Sequence, residues 1–353
     1  MRNLMYLLFI FLRTFLVVAF SFLEYLFVIK TDEPNFYPLV TILIPSFNEQ
    51  VVIENAVLSI KKINYPNVEI LIIDDGSFDL TSEIAKKFES KGKLRVIYKK
   101  NGGKADALNR GISESLGEYI LCMDADSILN NDVLMQSMGY FEKNPDLSAI
   151  AGRVEIGNSN TLLLNFQKLE YITGLNLFKR AQSFLDTVTI IPGPIGIFKK
   201  EALLDIGKYH TDTYAEDADL TIRLIMAGYK VKYNHNMVAV TEGPEDIQQL
   251  IIQRYRWSRG MVQAIVKNIH FLNPLKTNLR NFLCILYMLI ESIFIPVVNF
   301  SFALLTIQFA LIYGGEQILG TYFIGLTLLD LSLALFSMIT EKKVKLFFIL
   351  RIL

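Results

Sequence analysis

Between Val40 and Ser127 a short apolar run that stops at polar or acidic residues recurs with helical stretches in between, and this rhythm restricts the chain more than any other feature. Val40-Thr-Ile-Leu-Ile44 is β-branched and breaks at Pro45, ahead of Ser46-Phe-Asn-Glu49. Val51 to Ile63 reads as a helix, Val68 to Ile73 as a strand stopping at Asp74-Asp75-Gly76-Ser77, Leu80 to Ser90 as a helix, and Leu94 to Tyr98 as a strand. Asn101-Gly-Gly-Lys104 opens a helix to about Leu116, and the apolar run from Tyr119 ends at Asp124 and Asp126. Such alternation predicts an α/β fold with a parallel sheet and right-handed crossovers. Ligands of open α/β sheets collect where the strands end. Pro45, Asn48, Glu49, Asp74, Asp75, Lys104, Asp124 and Asp126 are therefore expected along one edge. Alternate residues of an extended chain share a side, so both carboxylates of Asp124-Ala-Asp126 are expected to face one divalent cation and the phosphates it carries. The plain alternative is turn chemistry, in which Asp is common.

The two ends of the chain differ from this middle. Of 353 residues, 52% are hydrophobic, and the mean hydropathy of +0.35 is high for a soluble protein because apolar residues crowd the ends. Leu4 to Val28 is long enough to cross a bilayer as a helix, interrupted by Arg13 and Glu24. A cleaved signal peptide fits less well, since the run is long and no small-residue cleavage site follows. Arg13 needs a protein partner, a phosphate or a water defect at that depth. Phe282 to Tyr313 and Ile318 to Ile339 read as further spans around the turn Gly314-Gly-Glu-Gln317. The basic connector Glu341-Lys-Lys-Val-Lys345 belongs in the cytoplasm by the positive-inside rule, which returns the middle domain to the cytoplasmic side of the plasma membrane. Leu346 to Leu353 opens one more apolar run, too short to span, so the natural chain is expected to continue. Charge is balanced at 35 basic and 35 acidic residues, which gives no field for nucleic acid. Cys122 and Cys284 lie in separate apolar runs, so no disulfide framework exists and a reducing compartment fits. The domains read as residues 1–30, a membrane helix; 38–245, a cytoplasmic α/β domain; 246–275, an interfacial amphipathic helix; and 280–353, membrane helices.

The second half is less regular. Leu162 to Phe184 reads as one basic amphipathic helix, with Lys168, Lys179 and Arg180 on its flanks, suited to a membrane surface or to covering a core. Val188 to Phe198 reads as a strand pair broken by Gly and Pro, and Glu201 to Ile206 as a helix. Glu216 and Asp217 begin a helix whose dipole favours negative charge there. Lys230 to Tyr233 and Met237 to Thr241 read as two short strands. His210 and His235 are isolated in polar loops and are given no role.

Taken in order, Pro45-Ser-Phe-Asn-Glu49, Asp74-Asp75-Gly76-Ser77, Gly103-Lys104, Asp124-Ala-Asp126, Glu216-Asp217 and Gln253-Arg-Tyr-Arg-Trp257 resemble the motifs of processive family 2 glycosyltransferases, which include cellulose, hyaluronan, chitin and poly-N-acetylglucosamine synthases. The resemblance runs from about Val40 to Asn268, and six motifs in order between membrane helices make coincidence remote. It implies a GT-A type domain with a parallel-rich mixed sheet, a UDP-sugar donor, a growing glycan acceptor, contact with the lipid bilayer, room for an accessory subunit, and Mg2+ or Mn2+. By resemblance Asp126 is the metal ligand, and Asp124 contacts the nucleoside. Asp74 and Asp75 hold the uracil, walled by Pro45, Asn48 and Glu49. Lys104 meets a phosphate or the uracil carbonyl, Arg256 meets the diphosphate, Asp217 with Glu216 beside it is the catalytic base, and Gln253 and Trp257 sit at the acceptor. Trp257, the only tryptophan, would stack on a sugar. Gly193 and Pro194 resemble the segment bordering the acceptor in hyaluronan synthases, while Glu170-Tyr, Gly174-Leu and Lys179-Arg180 look more like the poly-N-acetylglucosamine enzymes. Ala215 departs from the family's Thr-Glu-Asp pattern at the residue before the pair.

The expected function is an inverting, processive β-glycosyltransferase that polymerises a UDP-sugar, foremost UDP-N-acetylglucosamine, and passes the polymer outward. The alternatives are a non-processive enzyme adding one sugar to a lipid or short glycan, and a nucleotide-binding scaffold without turnover.

Overall fold

The computed structural model describes residues 2–27, 33–90, 92–158, 161–275, 277–313 and 315–341. The connector after Glu341 and the apolar run from Leu346 lie outside the described residues. One 8-stranded sheet, in the order β3-β2-β1-β4-β7-β6-β8-β5, organises the middle of the chain. Its strands are β1 (Val40–Ser46), β2 (Val68–Asp74), β3 (Leu94–Tyr98), β4 (Tyr119–Cys122), β5 (Ile128–Leu129), β6 (Leu147–Ile156), β7 (Gly196–Lys199) and β8 (Lys230–Thr241). The first four run parallel, as the strand-helix alternation requires, and the rest form a mixed extension with β7 antiparallel to both β4 and β6.

Helices cover both faces, and the period-2 pattern of the strands explains why. In β1, Val40, Ile42 and Ile44 enter one core while Leu43 enters the other; in β2, Ile70 and Ile72 part from Leu71 and Ile73 in the same way. After α1 (Arg2–Phe27) come α2 (Ile53–Ile60), α3 (Thr81–Lys86), α4 (Lys104–Glu114) and α5 (Val133–Lys143). The first face receives Ile53, Val57 and Ile60 of α2 and Val133, Leu134 and Met138 of α5. The second receives Leu108 and Ile112 of α4. Each fully buried Leu or Ile contributes roughly 1.5–3 kcal/mol. The stretch from Ile128 to Ile156, which the motif pattern left unread, supplies β5, α5 and β6.

Three expectations are corrected. The basic helix is α6 (Leu162–Glu170) and α7 (Leu177–Ser183), joined through a π-helical turn at Tyr171–Asn176. Of its two expected placements it takes the one covering the core: Lys179 and Arg180 are buried, Lys179 donating to the Gly152 carbonyl at 2.7 Å and Arg180 to Glu341 Oε1 at 2.6 Å. From Val188 to Phe198 only Gly196–Phe198 joins a strand, because Pro192 and Pro194 cannot supply ladder N–H groups. The two short strands after Gly228 are the single β8, parallel to β6 with register shifts that absorb the irregular middle.

Beyond the sheet lie α8 (Lys200–Asp205), α9 (Glu216–Met226), α10 (Ile247–Lys267), α11 (Leu279–Leu289), α12 (Ile295–Tyr313) and α13 (Glu316–Thr340). A π-helical turn at Ile290–Phe294 joins α11 and α12 into one rod. Among the described residues two helices are long and apolar enough to cross a membrane, Phe9–Phe27 and Leu279–Ile312. Val17 of α1, Leu177 and Ala181 of α7, and Leu333 and Phe336 of α13 pack together. Arg13 finds the protein partner it needs: its Nε and Nη2 donate to Glu291 at 2.8 and 2.5 Å.

Candidate active site

The carboxyl ends of β1, β2 and β4 converge as expected, in register, with Ser46 beside Asp74 and Leu43 beside Cys122. The loop after β1 is laced to the loop after β2. Asn48 adopts a left-handed φ of 57°, which Asn tolerates, and its amide donates to Ser77 Oγ at 3.0 Å while its own Oδ1 accepts from the Phe78 amide at 3.1 Å. The Glu49 amide donates to Thr81 Oγ1 at 2.7 Å. Asp74 Oδ1 caps the turn by accepting from the Ser77 amide at 2.9 Å. Asp75 is buried and reaches the next loop, where it accepts from the Lys99 ammonium and from the amides of Gly102 at 2.9 Å and Gly103 at 2.7 Å. Gly103 has φ +89°, a conformation that opens the first turn of α4 and presents Lys104 to the cleft.

Asp124 and Asp126 do not share the face of a strand. β4 stops at Cys122, and the Ser127 amide donating to the Asp124 carbonyl closes a turn, so the carboxylates acquire separate partners. Asp124 Oδ1 lies 2.5 Å from Lys104 Nζ, and the same ammonium lies 3.7 Å from Glu216 Oε1. Burial works against the charge on Lys104, but Asp124, Asp217 and Glu216 outweigh it and hold the lysine well above its ordinary range. Asp126 Oδ1 accepts from the hydroxyls of Ser127 and Thr241, both at 3.2 Å. Burial and then the charge of Asp124 push Asp126 upward. Burial, reinforced by Asp126 and Asp124, lifts Glu49 to about 7. These shifts describe an underneutralised acidic corner.

Among the described residues no group of three His, Cys, Asp or Glu side chains is arranged to hold a metal ion. The donors around Asp126 nevertheless suit a hard dication. They are all oxygen, the Asp124 charge repels that of Asp126, and a diphosphate and water can complete an oxygen shell.

Glu216 and Asp217 occupy the first turn of α9, as read from sequence. Asp217 Oδ2 accepts from the Gly193 amide at 3.0 Å, in the turn that carries Pro194. Thr221 Oγ1 donates to the Asp217 carbonyl at 2.6 Å and accepts from the Ile191 amide at 3.0 Å, tying that turn to the helix. A methyl at Gly193 would stand 2.5 Å from Lys104 Nζ and 2.9 Å from Asp124 Oδ2. The bare backbone is what lets the Lys104–Asp124 pair lie across this turn. Burial first, then Asp217, raises Glu216, with Lys104 pulling the other way. Pro45, Lys104, Asp124, Gly193, Glu216 and Asp217 line one cleft, floored by Cys122, Phe198 and Tyr209.

The Gln253–Trp257 constellation lies on α10 against a different wall. Arg254 pairs with Glu170 at 2.5 Å and sits 4.3 Å over the Trp257 ring, whose other neighbour is Tyr171 at 6.4 Å. One face of the indole is therefore covered. Gln253 Oε1 accepts from Arg254 at 3.2 Å, and Arg256 is exposed. Tyr171 links this wall to the acidic corner: burial raises its phenol to about 12, Arg254 opposes the rise and Asp126 adds to it.

Residues 41–207 match the family model for glycosyl transferase family 2. The chain carries a family 2 glycosyltransferase domain. Over 271 residues it is 32% identical to a poly-beta-1,6-N-acetyl-D-glucosamine synthase of Staphylococcus epidermidis, covering 76% of this chain and 65% of that protein. The chain thus spans less than two thirds of that relative. A mannosyltransferase from Pyrobaculum calidifontis, solved with GDP-Man and Mn2+, superposes with a TM-score of 0.65 at 20% identity, over 94% of this chain and 99% of that one. TarS of S. aureus, solved with UDP-GlcNAc, aligns with a TM-score of 0.50 at 18% identity, over 72% and 73% of the two chains. The mixed, parallel-rich sheet of the family 2 domain is accordingly the GT-A fold.

Sequence reading missed Thr241, Thr221 and Tyr209. Thr241 ends β8 beside Asp126, so a polar residue at a strand end was the available signal. Tyr209 is brought in by Asn109, which binds its backbone on both sides at 2.8 and 2.9 Å, and its hydroxyl reaches Cys122 Sγ at 3.6 Å; no local pattern announces it. His235 lies buried within β8 rather than in a polar loop, and His210 lies 3.1 Å from Asp219.

Proposed function

We propose that the protein is an inverting, processive β-glycosyltransferase that builds a polysaccharide from UDP-N-acetylglucosamine. The observation carrying this reading is the Gly193 amide holding Asp217 in the cleft that Lys104, Asp124 and Glu216 line. The kinship with a poly-N-acetylglucosamine synthase supports the choice of sugar and of polymer. In this reading the loops of Pro45, Asn48, Glu49, Asp74 and Asp75 enclose the nucleoside, Asp124 meets its ribose, and Lys104 and Arg256 face the diphosphate. Asp217 Oδ1, left open by the Gly193 contact on Oδ2, takes the proton of the acceptor hydroxyl as that oxygen attacks the anomeric carbon in line with the departing diphosphate. Glu216 stands beside that base, its carboxyl raised by burial and by Asp217 while Lys104 opposes the rise. Asp126 would hold a Mg2+ or Mn2+ ion, which would supply charge neutralisation to the leaving diphosphate. Gln253, Trp257, Gly193 and Pro194 border the acceptor.

The apolar helices Phe9–Phe27 and Leu279–Ile312 are read as bilayer spans, with the sheet on the cytoplasmic side where UDP-sugars are made. Membranes bearing the protein, given radiolabelled UDP-sugars with Mg2+ or Mn2+, are expected to yield a β-hexosaminidase-sensitive polymer from UDP-N-acetylglucosamine. Asp217→Asn is expected to lower turnover at least 10³-fold with UDP binding retained. A single-sugar product would overturn processivity, and an active Asp217→Asn variant would overturn the base.

A further inference from the structure

The first half of α10 carries the Gln253–Trp257 constellation, and its second half touches something else. Residues 212–215 form the turn that delivers Glu216 and Asp217, and the hydrogen bonds, ion pairs and ring contacts reaching that turn from outside itself and α9 come, among the described residues, from α10. Arg259 stacks 4.3 Å over the Tyr214 ring. Gln263 Oε1 accepts from the Tyr214 amide at 3.2 Å. Lys267 reaches Asp212 at 2.6 Å. Between them Gly260 is buried against the turn so closely that an added methyl would meet Ala215 Cβ at 2.5 Å, Ala215 N at 2.7 Å and the Tyr214 carbonyl carbon at 3.0 Å. Positions 259, 260, 263 and 267 share one side of a helix by the i, i+4 spacing. Ala215, where the family resemblance calls for threonine, is the residue under Gly260, so a small side chain stands where the helix backbone passes.

We infer that this face of α10 is a positioning clamp for the catalytic base: Gly260 sets the distance at which the Tyr214–Ala215 turn, and hence Asp217, stands from the cleft, and Gln263 locks the turn in place. The inference rests on Asp217 being the base. An α-helix of 21 residues is about 31 Å long and stiff, so the acceptor-side constellation and the clamp share one rod. Displacement of a catalytic group by about 1 Å costs on the order of 100-fold in rate while leaving distant donor contacts intact.

The test uses the full chain in membranes or detergent and measures kcat, KM for UDP-N-acetylglucosamine and the UDP dissociation constant. Gly260→Ala is expected to lower kcat at least 10-fold with donor KM and UDP affinity within twofold, and Ala215→Gly in the same chain is expected to recover part of the loss. Gln263→Ala, which removes no packing at the glycine, is expected to lower kcat about 5-fold, and Gln263→Glu, which keeps an acceptor for the Tyr214 amide, to retain it. Full activity in Gly260→Ala and Gln263→Ala beside an inactive Asp217→Asn would overturn the clamp alone. Parallel loss of kcat and UDP binding, unrelieved by Ala215→Gly and matched by Gln263→Glu, would overturn it as a general folding defect. Activity in Asp217→Asn would instead remove the base on which the clamp is argued.

Discussion

Gly193→Ala separates catalysis from stability, because its added methyl falls on a charged pair and not on the core. The methyl would stand 2.5 Å from Lys104 Nζ, whereas relaxed contacts lie near 3.5 Å, so the ammonium must withdraw by about 1 Å. Opening the Lys104–Asp124 separation from 2.5 Å by that amount weakens the attraction by about 2 kcal/mol at an effective dielectric constant near 20. The side chains are 36% and 26% exposed, so solvent screening brings the cost to the fold down to about 1 kcal/mol or less. The same displacement moves the cation proposed to meet the diphosphate, and a 1 Å error there is worth on the order of 100-fold in rate. The expected result is a melting temperature lowered by only a few degrees and a kcat lowered about 100-fold, read by thermal unfolding and by polymer synthesis on the same preparation. A variant with near-normal kcat, or one whose activity falls only as far as its folded fraction, would refute the reasoning.

Asp126→Ala is expected to abolish the strengthening of UDP binding by Mn2+ in calorimetry while metal-independent binding persists; an unchanged Mn2+ effect would remove the ligand assignment. Lys179 offers a pH test, because burial holds its ammonium at about 7 against 10.5 in an exposed chain. Between those values the unfolded chain binds the extra proton, so stability rises with pH by about 1.4 kcal/mol per unit above 7 and is flat below it. Lys179→Met is expected to flatten that rise between pH 7 and 9, whatever it costs to orphan the Gly152 carbonyl; an unchanged slope would refute the burial argument. Arg13→Met or Glu291→Leu alone breaks the ion pair and is expected to cost about 3–5 kcal/mol, whereas the double variant is expected to be near neutral. Additive losses in detergent unfolding would show that the pair does not couple α1 to the rod of α11 and α12.

The parallel strands, the edge where their ends collect, and most of the site were legible in local pattern. An apolar run followed by Asp or Asn-Glu needs no distant partner to be read, because β-strand periodicity and the strand-end rule act over a few residues. Asp74, Asp124 and Asp126 were picked out as candidates that way, whereas Lys104 and Asp217 open helices and were picked out by their likeness to family motifs. The mixed half of the sheet was not, since β6, β7 and β8 pair out of sequence order and their partners supply what their own patterns lack.

By itself the sequence determined which groups enter the cleft and the fold that gathers them, because both follow from short-range periodicity and from motif order. Tertiary structure alone decided how those groups are held. Gly193 meets Asp217 across 24 residues and Arg13 meets Glu291 across 278, while Gly260 lies on Ala215 only because two helices cross there. Lys179 flanks a helix whose pattern left membrane surface and core cover both open, and it is buried. Such contacts depend on the packing of elements distant in the chain, and burial, close approach and electrostatic coupling arise only once that packing exists.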